Sequence, residues 1–262
     1  VLTGSNCFAE LFSSVHFEDV GKGRQGAVLV KPDNFGRVPL VRTTTRYNRR
    51  AQCFRANHSR FANQIQECAS LPVSFNHALI ENYTNAYTTM ASHSDQALDL
   101  ADASFIALFS CYQHPEILNT PRKLIVEDKE PGTVPIAIPL THGSVVVFSV
   151  ETNRQFKHKI VLDSPKPHEN LWLGITFRTS ASWLDFRNEV PFFADNTRLT
   201  LADNEQRREF YRLRSRENSE TGFAYPPITY TLSESDLLLP ETIASESSVP
   251  LDPERSPSRT AP

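Results

Sequence analysis

A histidine and an aspartate separated by one residue, in Ala91-Ser92-His93-Ser94-Asp95, are the part of this sequence best equipped for chemistry. On an extended chain, side chains two residues apart point the same way, so a strand here would present an imidazole and a carboxylate together. A third donor stands in Gln155-Phe156-Lys157-His158-Lys159-Ile160, where alternation of polar and apolar residues puts His158 in file with Phe156 and Ile160. That file faces inward while the lysines face water. His93, Asp95 and His158 on one side of an iron(II) would leave its other positions open for a co-substrate and oxygen. A His-x-Asp triplet also arises by chance in many chains, and a histidine in an apolar file is more often a core residue, so the surroundings have to decide.

Two other stretches carry concentrated polar chemistry. In Trp172-Leu173-Gly174-Ile175-Thr176-Phe177-Arg178-Thr179-Ser180, Leu173, Ile175 and Phe177 form one strand face, and Gly174, Thr176, Arg178 and Ser180 form the other. The second face is small and polar around one cation. It suits a ligand carboxylate, because a guanidinium stays charged and grips two oxygens in a plane. Residues 37–60 hold Arg37, Arg42, Arg46, Arg49, Arg50, Arg55 and Arg60, with no acidic residue between Asp33 and Glu67. Such a run is either a solvated loop whose arginines meet acids elsewhere or a lid over an anionic substrate. As a lid it would contribute Arg46 or Tyr47 to the substrate pocket. Gly21-Lys22-Gly23-Arg24-Gln25-Gly26 matches GxGxxG, but a strand follows it where a dinucleotide fold needs a helix, so it reads as a turn.

The elements that must hold these residues are mostly strands. Short apolar stretches recur at 78–83, 88–95, 104–111, 123–126, 134–140, 144–150, 155–162 and 171–180, with Pro, Gly, Asn and Asp in several gaps. So many strands with almost no helix predict a sandwich or open barrel, with the metal site in its mouth. Phe61, Ile65 and Cys68 fall on one helical face with Ser59 as cap, and residues 203–218 read as an exposed charged helix. The expected organisation is a flanking segment and basic lid over 1–74, a core over 75–182, an extension packing on it over 183–239, and a flexible tail over 240–262.

The totals set limits on partners. The 262 residues carry 27 Lys and Arg against 30 Asp and Glu, a net charge of -3, which gives no general attraction to nucleic acid or anionic membrane. No apolar run approaches the ~20 residues that cross a bilayer, and the first residues lack the order of a signal peptide, so no membrane partner is expected. Cys7, Cys53, Cys68 and Cys111 are widely spaced and form no CxxC pair, which argues against a zinc site or disulfide framework. An intracellular compartment, cytoplasmic or nuclear, is the expectation.

Taken together, the motifs resemble those of the iron(II)/2-oxoglutarate oxygenases, and within them the AlkB-like branch. His93-Ser94-Asp95 is similar to that branch's HxD, and Thr141-His142-Gly143-Ser144-Val145-Val146-Val147-Phe148 to its HGD-VVV strand. Asn153-Arg154-Gln155-Phe156-Lys157-His158 is similar to its SR-x-F-x-H, and Thr176-Phe177-Arg178 to its TFR. The resemblance implies a mainly β fold, a double-stranded β-helix of the jelly-roll or cupin kind with a few flanking helices. It implies Fe(II) on His93, Asp95 and His158, 2-oxoglutarate on Arg178 with Tyr83 hydrogen-bonded to it, and molecular oxygen as the other reactant. Arg178-Thr179-Ser180 is similar to the RxS of the wider superfamily, which adds Ser180 to the co-substrate site. The sequence departs from the AlkB-like pattern at Trp172, where a second arginine normally stands six residues before Arg178, and its Asn-x-Tyr is present only as Asn82-Tyr83.

The expected function is oxidation of a C–H bond in a small anionic, amino-acid-like metabolite, by hydroxylation, desaturation or ring formation. An AlkB-like oxidative demethylase acting on nucleic acid is the alternative. The acidic total and the missing second arginine favour the small molecule, and the arginine run with its aromatics favours nucleic acid.

Overall fold

In the computed structural model, which describes residues 7–118, 120–163 and 169–242, strands dominate. In chain order the elements are α1 (Cys7–Phe12), β1 (Glu18–Gly21), β2 (Arg24–Val30), β3 (Val38–Leu40), β4 (Gln52–Cys53), α2 (Ala56–Cys68), β5 (His77–Tyr83), β6 (Phe105–Tyr112), β7 (Lys123–Asp128), β8 (Ile136–Pro139), β9 (Ser144–Ser149), α3 (Val150–Gln155), β10 (Phe156–Val161), β11 (Trp172–Arg178), β12 (Ser182–Arg187), β13 (Val190–Phe192), β14 (Thr200–Leu201), α4 (Asn204–Glu217) and β15 (Tyr230–Thr231). The expected tail over 240–262 lies outside the described residues from 243 onward.

The major sheet runs β1-β2-β5-β11-β6-β9, with β4 joined to β2, and the minor sheet runs β10-β7-β8. Together they form the jelly-roll core of a mainly β protein. Its central strand β11 is buried on both faces, and the alternation along it explains how. Leu173, Ile175 and Phe177 pack outward with Leu29, Ile80 and Phe109 against Leu11 of α1 and Phe61 and Ile65 of α2. Trp172 points the other way and packs with Tyr83, Tyr112, Leu124, Leu140 and Ile160 between the two sheets. A sheet covered on both sides needs apolar residues at nearly every position, which is how β6 (FIALFSCY) and β11 (WLGITFR) read.

Residues 1–74 contribute structure to this sheet as well as flanking it. β2 pairs antiparallel with β5 from Arg24↔Tyr83 to Val30↔His77. The glycine-rich stretch before it is the β1–β2 hairpin, where Gly21 and Gly23 adopt φ of 86° and 75°. Those left-handed angles are what the glycines supply, so the turn reading holds. Helix α2 starts at Ala56, so Ser59 lies inside it and is not its cap. His58 Nδ1 instead accepts from the Arg55 amide at 3.1 Å, and Cys68 is exposed at the far end.

Two further expectations change in the structure. Residues 88–95 lie beside β10 as a strand would, but only isolated bridges form, Thr89↔Val161 and His93↔His158. From Thr89 to His93 is four residues and from Val161 back to His158 is three, so one extra residue bulges out and breaks the ladder. Helix α4 begins where expected, with Asp203 accepting from the Glu205 and Gln206 amides in a capping box. It is not exposed all round, because Phe210, Leu213, Arg214 and Glu217 are buried along one face. The four cysteines are free, and no helix among the described residues is long and apolar enough to cross a membrane.

Candidate active site

The bulge sets the aim of His93. Beyond it, His93 and His158 exchange both backbone hydrogen bonds, at 2.9 and 2.6 Å, and directly opposed residues in an antiparallel pair put their side chains on one side. Their rings therefore lie side by side, with centroids 4.8 Å apart. Asp95, two residues on, brings Oδ1 to 3.9 Å from His93 Nε2 and 3.5 Å from His158 Nε2. One donor atom from each residue lies within 4.8 Å of the others, close enough to share an ion. His93 Nδ1 donates to the Ala91 carbonyl at 2.9 Å, which leaves Nε2 with a lone pair turned toward Asp95. A lone pair and a carboxylate facing each other need a cation between them, so this donor set fits a metal ion.

The segment bearing Asp95 is gripped from two sides. Asn153, buried in α3, accepts from the Asp95 amide and donates to its carbonyl, both at 2.7 Å. From α4, Arg214 donates to the Ser94 carbonyl and Glu217 accepts from the Ala97 amide at 2.8 Å. Asn218, at the end of that helix, accepts from the Ser94 amide at 3.0 Å. The extension after residue 183 thus fixes the segment that carries His93 and Asp95, a part not expected of it from the sequence. Its available signal was the spacing Phe210, Leu213, Glu217, which repeats at helical period.

Arg178 meets the same carboxylate. Its Nε and Nη2 donate to Asp95 Oδ2 at 2.8 and 2.7 Å, and among the described residues its buried Nη1 has no hydrogen-bond partner. Burial by itself would raise the Asp95 carboxyl, but Arg178 and the two imidazoles hold it well below the usual carboxylate range. Burial, reinforced by His158, pushes the His93 imidazole down to about 4. The carboxylate is ionised and His93 neutral at physiological pH, the states that bind a metal.

A cavity of about 530 Å³ opens onto these groups. His93, Asp95, His158, Thr176 and Arg178 line it, with Arg24, Glu81 and Tyr87 on the wall and Tyr211, Ser215 and Asn218 from α4 and its C-terminal end. The remaining expected residues are placed differently. Tyr83 is fully buried, donates to Glu81 Oε2 at 2.8 Å, and is not on the cavity wall. Glu81, two positions earlier on the same strand face, is on that wall, and Asn82 faces away to donate to Gln25. The hydroxyl of Ser180 is spent on the carbonyls of Leu40 at 2.5 Å and Ser182 at 2.9 Å, so it is a structural group. The space over Gly174 is filled by the Trp172 indole, which would come within 2.1 Å of a Cβ placed there.

The arginine run dissolves into individual roles. Arg37 pairs with Asp33, Arg42 with Asp99 and Arg60 with Glu10, each between 2.6 and 2.8 Å. Arg46 is exposed and Tyr47 is buried over Gly26, neither on the cavity wall, which Thr43, Thr44 and Thr45 form instead. A strand-turn-strand path cannot present every residue of a segment to one site, and here the threonines take that place.

Residues 9–189 match the 2OG-Fe(II) oxygenase superfamily. The chain belongs to that superfamily. The cofactors of this oxygenase family are Fe(II) and 2-oxoglutarate, and His93, Asp95 and His158 are the group among the described residues able to hold such an ion. In structure the chain is similar to a prolyl-4-hydroxylase from Pseudomonas putida, at 14% identity and a TM-score of 0.35, covering 66% of this chain and 80% of that one. No curated protein matches the oxygenase in sequence.

Proposed function

We propose that the protein is an Fe(II)/2-oxoglutarate-dependent dioxygenase that oxidises a C–H bond of a small anionic, amino-acid-like molecule. His93, Asp95 and His158 hold the iron, and Arg178 holds a carboxylate of 2-oxoglutarate. The observation that carries this reading is the convergence of three donor atoms within 4.8 Å beside a buried guanidinium with an unused N–H, all on the wall of one cavity. Bound there, iron and 2-oxoglutarate supply the oxidising power drawn from oxygen. The protein's part is to hold and orient. Asn153 and α4 keep Asp95 in place, and the Nδ1 bond of His93 keeps its tautomer.

The order of the motifs is AlkB-like, and nucleic acid is the second substrate class to test. The small molecule is preferred because three arginines of the basic run are committed to ion pairs, leaving less charge to follow a phosphodiester backbone.

The test is calorimetric titration of Fe(II) without oxygen. The wild type should bind one iron, and His93→Ala and His158→Ala should lose it while the β fold stays intact. Wild-type iron affinity in both variants would sink the triad. Arg178→Lys should weaken 2-oxoglutarate roughly 10- to 100-fold, since an ammonium cannot replace a planar fork. Succinate release screened over free amino acids and methylated oligonucleotides, with salt varied, then separates the substrate classes.

A further inference from the structure

Among the described residues three arginines line the cavity, Arg24, Arg178 and Arg214. Arg214 is committed to Glu217 and the Ser94 carbonyl, and Arg178 to Asp95. Arg24 lies over the Tyr87 ring at 5.4 Å, and its polar contacts are stretched: Nη1 to the Tyr87 hydroxyl at 3.4 Å, Nη2 to the Thr45 hydroxyl at 3.4 Å, and Nε to Glu81 Oε1 at 3.7 Å. Settled N–H···O bonds lie near 2.9 Å, so this guanidinium is a largely enclosed cation, its side chain 19% exposed, with its donors barely used. A carboxylate is the ligand that such a fork accepts best.

Its position in the sheet is equally specific. The register pairs Trp172 with Tyr83 and Tyr83 with Arg24, so the three form one row across β11, β5 and β2. Arg178 stands at the other end of β11, opposite His77. Leu79, Glu81 and Thr176 line the cavity between the two cations. The row that holds Arg24 is closed at β11 by the apolar Trp172, so the charge at this depth comes from the N-terminal strand. A molecule with a carboxylate at each end of a short chain satisfies both arginines, whereas a monocarboxylate leaves one of them unanswered.

Building on the reading of the iron centre given above, we infer that Arg24, assisted by Tyr87 and Thr45, binds the carboxylate of 2-oxoglutarate remote from the iron, while Arg178 binds at the end beside Asp95. Glu81 does not prevent this. Its Oε2 accepts from the Tyr83 hydroxyl at 2.8 Å, its Oε1 stays 3.7 Å from Arg24 Nε, and burial raises its carboxyl above the usual range, so its hold on the guanidinium is weak.

The experiment measures affinity, not turnover. The iron-loaded protein, kept free of oxygen, is titrated by calorimetry with 2-oxoglutarate and with 2-oxopentanoate, which has a methyl group in place of the remote carboxylate. The wild type should bind 2-oxoglutarate the tighter. Arg24→Met should lose roughly 10- to 100-fold for 2-oxoglutarate and leave 2-oxopentanoate unchanged, so that the two ligands become nearly equal. Arg24→Lys, which retains the charge, should fall between, and Glu81→Gln should keep the wild-type preference. Equal losses for both ligands in Arg24→Met would mean a structural role and overturn the assignment. Unchanged 2-oxoglutarate affinity would overturn it too, and would send the carboxylate at Arg24 to the primary substrate. A wild type that binds iron but neither oxo acid would overturn the reading of the centre and this inference together.

Discussion

Arg42–Asp99 and Arg178–Asp95 are the same chemical pair in two surroundings. In the first, Arg42 Nε and Nη2 grip both oxygens of Asp99 at 3.0 and 2.8 Å, and Nη1 donates to the carbonyls of Ile228 and Tyr230. The carboxylate also accepts from the Arg42 amide at 2.8 Å, so donors and lone pairs match. That pair ties an N-terminal loop, the barrel and the C-terminal extension together. In the second, two donors of Arg178 converge on one oxygen, leaving Nη1 unbonded and Asp95 Oδ1 facing two imidazoles. The side chains are buried to a similar degree, 3% and 1% exposed in one pair against 8% and 7% in the other. Burial therefore does not distinguish a staple from a site. Bonds left unmade toward a cavity do.

The comparison can be broken most forcefully at Asp99. Asp99→Ala strands a buried guanidinium and should cost about 3–5 kcal/mol in a denaturant melt while one Fe(II) still binds. The same truncation at Asp95 should cost less, because the cavity lets water reach Arg178, and it should abolish iron binding. Equal stability losses with iron retained in both would erase the distinction between the pairs.

A pH series sharpens the closed side. Asp236 is buried beside this pair, and burial first, then the charge of Asp99, pushes its carboxyl up to about 6. Its folded value is above its unfolded one, so the stability it supports is present below pH ~4 and is lost as pH rises through 6. Relative to Asp236→Asn, which cannot ionise, the wild type should lose roughly 2 kcal/mol between pH 4 and 6, read from paired melts. Parallel curves for the two proteins would show that Asp236 does not titrate in that window.

The smallest effect is expected at a residue in neither network. Arg46 is exposed, so Arg46→Ala should change stability by less than about 0.5 kcal/mol and leave 2-oxoglutarate affinity as it was. A larger change in either would return this arginine to the site and reopen the lid reading of the basic run.

The grouping of His93, Asp95 and His158 as candidate metal donors was legible in the linear chain because each part of it is local. His93 and Asp95 are two residues apart, and the period-two file of Phe156, His158 and Ile160 states which way His158 faces. The face of β11 that carries Arg178 follows from the same alternation, and so does the apolar face that meets α1 and α2. The cap of α4 was also readable, since Asp203 and Gln206 lie within one turn.

What only the tertiary structure decided depends on pairing between distant segments. The bulge that turns His93 beside His158 is a mismatch between two stretches more than sixty residues apart by number, invisible in either alone. Which arginines of the basic run are spent depends on acids as remote as Asp99 and Glu10, and no spacing rule inside residues 37–60 can foresee it. Tyr83 and Ser180 carry suitable groups on suitable faces, yet Glu81 of the same strand takes the Tyr83 hydroxyl and the Leu40 carbonyl of β3 takes that of Ser180. Arg24 came to the cavity only because β2 joins the major sheet at Tyr83, level with Trp172. Side-chain direction is a property of local backbone period, whereas the partner a side chain meets is set by register and packing across the whole fold.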